Sequence, residues 1–371
     1  MADSNWYQIE NVEELDSPAL VVYPERVKEN IRLLKSMIDD VSRLRPHVKT
    51  NKSPQACALM IEAGITKFKC ATIAEAEMLG EIGAKDVLLA YQPSGPKLKR
   101  FISVIENFPN TKYSTLFDNP EAAIAISDAA LEKGVVIDIY LDLNIGMNRT
   151  GIIPGEAAFL LYKSCTGYKG VRVVGLHAYD GHVRNPDITI RIADCNRAFE
   201  KVQTFANRIV AKGLPEPIIV AGGSPTFPIH AKRKNVECSP GTFIYWDKGY
   251  GDLCKDQPFQ CAALLVTRVI SLPDATKVCL DLGHKSVAAE NDLQRRVQFL
   301  NAEYLKVVSQ SEEHLVVDAV NGHSFTVGEV FYGAPYHICP TVALYEKVFT
   351  VENGKVTGEW RNVARDRRIN F

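Results

Sequence analysis

The sequence predicts an α/β chain, a (β/α)8 barrel of the TIM type over residues 15–250 followed by a β-rich domain over residues 251–371. Two observations carry this. From Leu44 to about residue 247, eight strand-like segments alternate with helix-like ones, the count of a (β/α)8 barrel. After about residue 255, strand-like segments follow one another with almost no helix between them. A doubly wound open sheet is the competing arrangement, because strand order is not written in a sequence.

The strand candidates of the first part are Leu44–Lys49, Lys67–Ala71, Asp86–Tyr91, Lys112–Phe117, Val135–Leu143, Val171–Tyr179, Pro217–Gly223 and Asn235–Cys238. Between them lie helical patterns such as Ile73–Ile82, Pro120–Lys133 and Pro186–Lys212. Asn119-Pro120 supplies a cap and a first-turn proline, and Pro154 precedes an Ala/Leu-rich stretch. In the second part the candidates are Cys261–Leu272, Lys277–Leu282, Ala302–Gln310, His314–Asp318, Glu329–Gly333 and Val342–Thr350. Glu352-Asn353-Gly354-Lys355 is a hairpin signal, since Asn-Gly suits the positive φ angles of a type I′ turn. The early strand Ala19–Tyr23 fits either part, and residues 1–14 are expected to pack with the β-rich one.

At 371 residues the chain suits one large α/β domain and a smaller one. Its 46% apolar and 23% charged residues describe an ordinary globular protein. A formal net charge of −1, without long runs of like charge, argues against nucleic acid or an anionic membrane as the main partner. The N-terminus lacks the basic and apolar regions of a signal peptide, and no apolar stretch suits a membrane span. The nine cysteines form no CxxC pair, so reduced thiols in the cytoplasm are expected.

Lys49 closes the first strand candidate, at the end of a barrel strand where such folds keep their chemistry. A lysine there can form an imine with an aldehyde cofactor once its amine is freed of its proton. Gly222-Gly223-Ser224 and Gly241-Thr242 follow the seventh and eighth strand candidates, the usual place for a phosphate in a barrel. A phosphate site and a strand-end lysine together point to pyridoxal 5′-phosphate. Arg149, after the fifth strand, is placed to face the cofactor, and Tyr179, at the end of the sixth, is counted with the cofactor-binding residues. Of the two histidines near Tyr179, His182 in the loop is the better acid–base candidate and His177 the more structural one. His337 and Cys339, two apart on a segment read as extended, point the same way and can share one metal ion. A thiolate ligand favours zinc or another borderline-soft ion over magnesium.

These motifs occur in the order Arg45-Pro46-His47-Val48-Lys49-Thr50 with Lys52, Asn148-Arg149-Thr150-Gly151, Ala178-Tyr179-Asp180-Gly181-His182, Gly222-Gly223-Ser224 and His337-Ile338-Cys339-Pro340-Thr341. The chain thereby resembles, over nearly its whole length, the D-threonine aldolase and D-serine dehydratase family of fold-type III, alanine-racemase-like pyridoxal phosphate enzymes. The resemblance implies a homodimer with Lys49 carrying the cofactor and a divalent metal (zinc or manganese, with magnesium a further alternative) on His337 and Cys339. It implies a small D-amino acid with a β-hydroxyl as substrate. Cleavage to glycine and an aldehyde is favoured over dehydration of D-serine or D-3-hydroxyaspartate to a 2-oxo acid and ammonia. Cys339 leans to the dehydratase branch, where this position is Cys rather than the Asp of some aldolases, and Asn51 departs from the family pattern. A racemase needs no metal, and a non-catalytic cofactor carrier resembles the barrel alone.

Overall fold

The computed structural model describes residues 5–366, so residues 1–4 and 367–371, the outer ends of the predicted segments, lie outside it. The strands are β1 (Ala19–Val22), β2 (Lys67–Cys70), β3 (Asp86–Leu89), β4 (Lys112–Phe117), β5 (Ile137–Asp142), β6 (Val171–Ala178), β7 (Ile218–Ala221), β8 (Val236–Cys238), β9 (Ala263–Ser271), β10 (Lys277–Leu280), β11 (Val297–Phe299), β12 (Lys306–Gln310), β13 (Leu315–Asp318), β14 (Val330–Pro335), β15 (Lys347–Glu352) and β16 (Lys355–Arg361). Two compact units divide them. One comprises residues 34–49 and 57–241; the other comprises the described residues up to Leu33, Thr50–Ala56 and Thr242–Arg365.

In the first unit, β2 to β8 form a parallel sheet in sequential order. The crossovers are the predicted helices, among them Ile73–Glu81, Pro120–Glu132 and Ile188–Ala211. Asn119 caps the second of these through Ala122 N–H, with Pro120 in its first turn. Glu156–Cys165 follows Pro154, with Gly155 at its N-cap position.

The predicted first strand, Leu44–Lys49, is not a regular strand. Leu44 bridges Cys238 and His47 bridges Lys69, both in parallel, and residues 48–51 turn. Pro46 is the physical reason, because it lacks the N–H that a continuous ladder needs. Pairing survives around it: Arg45 N–H donates to Cys238 O at 2.8 Å and Lys69 N–H to Pro46 O at 2.8 Å. The segment thus joins β8 to β2 and closes the sheet into a barrel, so the open doubly wound alternative is excluded. Inside, Leu88, Leu116, Tyr140 and Val220 form an apolar layer. Gly175 makes room for it, since a Cβ there would lie 2.9 Å from the Tyr140 ring.

Arg45 is 1% exposed, and its guanidinium spans three barrel elements. Nε donates to Glu237 on β8 at 2.7 Å, and Nη1 donates to Asp86 on β3 at 2.6 Å and to Phe68 O on β2 at 3.4 Å. Burial alone would push its pKa down, but Glu237 and Asp86 outweigh this and raise it.

In the second unit, β12-β13-β10-β9-β1-β15-β16 form one path of a nine-stranded sheet, with β14 pairing β9 and β11. The early strand belongs here: β1 lies antiparallel to β9 and parallel to β15. Tyr7, Ile9 and Leu15 pack with Val21, Val266 and Val351 in its core. Asn353 and Gly354 have φ of 51° and 74°, as a type I′ hairpin between β15 and β16 requires. The sequence reading did not anticipate β11. It also read Val342–Thr350 as one strand, whereas Ile338–Val342 is a helical turn and β15 begins at Lys347.

Arg45→Leu is expected to cost about 3–5 kcal/mol in urea unfolding, because it leaves buried carboxylates without their partner; Arg45→Lys should recover part of that loss.

Candidate active site

Barrels of this kind keep their chemistry at the C-terminal ends of their parallel strands, where the predicted residues of the barrel unit are found. Lys49 is half-buried in the turn that follows the closing segment. Arg149 lies in the loop after β5, which Asn144 shapes by accepting Gly146 N–H at 3.1 Å and Asn148 N–H at 3.2 Å. Asn148 has a φ of 52°, a conformation that asparagine tolerates better than most side chains. The Arg149 guanidinium stands 5.0 Å from the centre of the Tyr179 ring, within cation–π range. Tyr179 also packs against Gly223, where a Cβ would be 3.2 Å from the ring. Three predicted residues from three loops thus meet in one place.

Ser224 is buried, and its Oγ accepts Gly241 N–H at 3.3 Å, linking the loops after β7 and β8. Gly222 has a φ of +78°, and a Cβ there would lie 2.6 Å from the His230 ring, so no other residue fits. The side-chain-free backbone of this loop is the kind of surface a phosphate approaches closely. His182 is exposed, its Nε2 lying 2.6 Å from where a Cβ of Gly146 would stand.

The sequence reading missed Lys69 and Asp142. Lys69 is 3% exposed, and its Nζ lies 3.3 Å from His177 Nε2; His177 Nδ1 is 2.7 Å from Asp142 Oδ1. The Asp142 carboxylate can only accept, so Nδ1–H donates to it and Nε2 of the neutral ring accepts from Lys69. Burial, then Lys69, lowers the His177 pKa and keeps the ring neutral. Burial pushes Asp142 up, but His177, Thr150 and Gln92 hold it below the usual carboxylate range. Lys69 falls to about 7 through burial and then the charge of Lys49, with Asp142 and Asp180 opposing. A signal was present in Lys67-Phe68-Lys69-Cys70, where two lysines at period two put charge on one face of a strand.

His337 and Cys339 lie in the other unit. The segment is not extended: His337 caps the helical turn Ile338–Val342, and Cys339 lies in that turn. Pro340 is tolerated because first-turn N–H groups have no helical partner. The two side chains still meet through a hydrogen bond, for a different geometric reason than the alternation of a strand. His337 Nδ1 also bonds Glu290, a residue missed in the sequence, and Cys339 Sγ lies 3.1 Å from Thr50 Oγ1 and 3.8 Å from Thr242 Oγ1. Asp247 Oδ2 accepts Ile338 N–H at 3.0 Å and holds the start of the turn. Burial pushes His337 down, but Cys339 and Glu290 carry it up. An imidazole held at Nδ1 by a carboxylate keeps Nε2 for a metal, and with a sulfur ligand this donor set suits a borderline-soft divalent ion.

The family model described as alanine racemase, N-terminal domain, matches residues 22–248, and one for a serine dehydratase domain matches residues 262–351. The chain is 26% identical over 358 residues to a D-threonine aldolase of Arthrobacter sp, covering 95% of this chain and 93% of that protein. It is 28% identical over 239 residues to a D-threo-3-hydroxyaspartate dehydratase of Delftia sp. (strain HT23), covering 63% and 62% of the two chains. The crystal structure of a D-threonine aldolase from Filomicrobium marinum superposes with a TM-score of 0.86 at 24% identity, covering 95% of this chain and 96% of that one, and shares its fold. Barrel and β-rich domain are therefore those of the alanine-racemase-like fold.

A lysine whose pKa is about 7 when folded and ordinary when unfolded binds fewer protons in the native state between those values. Its burial destabilises the fold below pH 7 and is relieved as pH rises toward about 10. Wild type should therefore gain stability relative to Lys69→Met between pH 7 and pH 9, by about 2 kcal/mol, in paired denaturant titrations.

Proposed function

Because the chain belongs to the alanine racemase N-terminal domain family, whose members of this kind use pyridoxal 5′-phosphate, we propose that it is a cofactor- and divalent-metal-dependent lyase. Its substrates are D-3-hydroxy amino acids, and its reaction is retro-aldol cleavage to glycine and an aldehyde. The observation that carries this is Lys49 at the C-terminal end of a closed parallel barrel that also presents Arg149, Tyr179 and the Gly222–Ser224 loop. Likeness to a D-threonine aldolase along 95% of the chain supports the choice of reaction.

Lys49 would be the covalent attachment point, and its amine the natural base toward the substrate Cα. Arg149 and Tyr179 orient the ring, while Gly222, Gly223, Ser224, Gly241 and Thr242 hold the phosphate through backbone N–H and hydroxyl groups. When bound, the cofactor supplies an electron sink for negative charge developing at Cα. His337 and Cys339 hold the divalent ion, which supplies Lewis acidity toward a β-hydroxyl. His182 takes the proton of that hydroxyl on a ring nitrogen and, being exposed, exchanges it with solvent. Asp142 keeps His177 in one tautomer and so leaves His177 Nε2 to accept from Lys69. Assembly as a homodimer belongs to the same proposal, and a single-chain mass in light scattering would contradict it.

Cys339 and the serine dehydratase match over residues 262–351 favour a second reading, C–O cleavage of the same substrates to a 2-oxo acid and ammonia. One assay separates the two. Metal-loaded holoenzyme is given D-threonine and D-serine, and glycine plus aldehyde is measured against 2-oxo acid plus ammonia; predominance of the latter would overturn the aldolase reading. Lys49→Ala should abolish turnover of both substrates. His182→Ala should lower kcat by about 10²–10⁴-fold while cofactor uptake and metal content stay as in wild type. Unchanged kcat would remove His182 from the mechanism.

A further inference from the structure

The barrel contains a second buried polar network that the proposed chemistry leaves without a role. Asp180, in the loop after β6, is 2% exposed, His230 1% and Cys195 0%. Asp180 Oδ2 lies 2.8 Å from His230 Nε2, and Asp180 Oδ1 accepts from Thr226 Oγ1 at 2.9 Å. Cys195 Sγ lies 3.4 Å from His230 Nε2 and 3.8 Å from Asp180 Oδ2. Among the described residues, Asp180, Cys195 and His230 bring three metal-ligand atoms within 4.8 Å of one another, so a metal site is the first reading to consider.

The donor inventory argues against that reading. Arg233 Nη1 stands 3.0 Å from His230 Nδ1, and a guanidinium can only donate. Nδ1 therefore accepts, the ring proton sits on Nε2, and Nε2–H donates to Asp180. No ring lone pair is left for an ion. Burial and then Asp180 push the Cys195 thiol up to about 12, whereas a metal ligand would be a thiolate. Burial also pushes Asp180 up, but His230 and Thr226 together hold it below the usual carboxylate range. Among Asp180, Cys195 and His230, the charge rests on that carboxylate.

What the network grips is the loop after β7. While Thr226 Oγ1 donates to Asp180, it accepts the N–H of Gly223 at 3.2 Å. A Cβ on Gly222 would lie 2.6 Å from the His230 ring and 3.0 Å from Thr226 Oγ1, so both side chains press on that backbone. The donors form a connected chain: Arg233 to His230, His230 to Asp180, Thr226 to Asp180, and Gly223 N–H to Thr226. Ser224 Oγ, accepting from Gly241 N–H, extends the restraint to the loop after β8.

We propose that Asp180, His230 and Thr226 are positioning residues that preset the Gly222–Ser224 loop for the cofactor's phosphate. They govern affinity for the phosphorylated cofactor and leave affinity for its ring alone. This rests on the assignment of pyridoxal 5′-phosphate made above. A loop already held in its bound shape loses less entropy when the ligand arrives, so loosening it weakens binding without removing a direct contact.

The test compares binding of pyridoxal 5′-phosphate and of unphosphorylated pyridoxal to the full chain, followed by the absorbance of the lysine-bound chromophore. Thr226→Val removes both hydrogen bonds at nearly constant shape; it should weaken the phosphate form about tenfold or more and leave pyridoxal within about twofold. Thr226→Ser should restore wild-type binding, and Asp180→Asn should act in the same direction as Thr226→Val. Unaltered pyridoxal binding also reports that each variant is folded. Equal affinity of wild type and Thr226→Val for the phosphate form overturns the proposal, as does equal weakening of both ligands. A bound metal lost in Cys195→Ser would overturn it in favour of a metal site. Should wild type take up neither compound, the cofactor assignment itself fails and the brace falls with it.

Discussion

A parallel sheet with two free edges leaves a row of unpaired backbone groups at each, and closing it requires something to join the first strand to the last. Here that joint is the short segment around Arg45. Its backbone bridges β8 on one side and β2 on the other, interrupted where Pro46 has no N–H to give. The Arg45 guanidinium reinforces the joint from inside, reaching Glu237 on β8, Asp86 on β3 and the backbone of β2. A buried ion pair is weak evidence for stability in itself, since desolvation offsets much of the attraction. Its directional bonds nevertheless fix register, and register decides where the chain emerges. Lys49 emerges four residues later.

The barrel interior is layered by polarity. Leu88, Leu116, Tyr140 and Val220 form an apolar floor, and the line from Lys69 through His177 to Asp142 is built from buried charge and hydrogen bonds. Taking ionisable groups out of water is costly unless each finds a partner of the right kind. The direction of every bond in that line is set by one acceptor-only group, the Asp142 carboxylate. The same logic operates around Asp180, where Arg233 decides the tautomer of His230. In each network one group of fixed hydrogen-bonding sense, a carboxylate in the first and a guanidinium in the second, sets the tautomer of a histidine.

Much of this was legible before any coordinates. The alternation of strands and helices from Leu44 onward, the cap at Asn119, the turn at Asn353-Gly354 and the glycines after β7 are local signals read in local terms. Lys49, Arg149, Tyr179 and Gly222–Ser224 were picked out by their places after strands, and the barrel does bring Arg149, Tyr179 and Gly223 together. Other features failed because their cause is not local. Leu44–Lys49 carries a strand's composition, yet Pro46 breaks the ladder, which matters only once neighbours lie on both sides. His337 and Cys339 were paired on the alternation of an extended segment, whereas a helical turn capped by His337 brings them into contact. Lys69 shares a strand face with Lys67, yet only the tertiary structure sets it against His177.

The sequence alone determined the class of the fold and the family to which the chain belongs, because periodicity, turn chemistry and motif order are properties of neighbouring residues. The tertiary structure alone decided which side chains share a proton. Lys69 with His177, Asp180 with His230 and Thr226, and Glu290 with His337 are separated by 108, 50, 46 and 47 residues in the chain. A hydrogen bond depends on distance and direction in space, and no spacing along the chain encodes either.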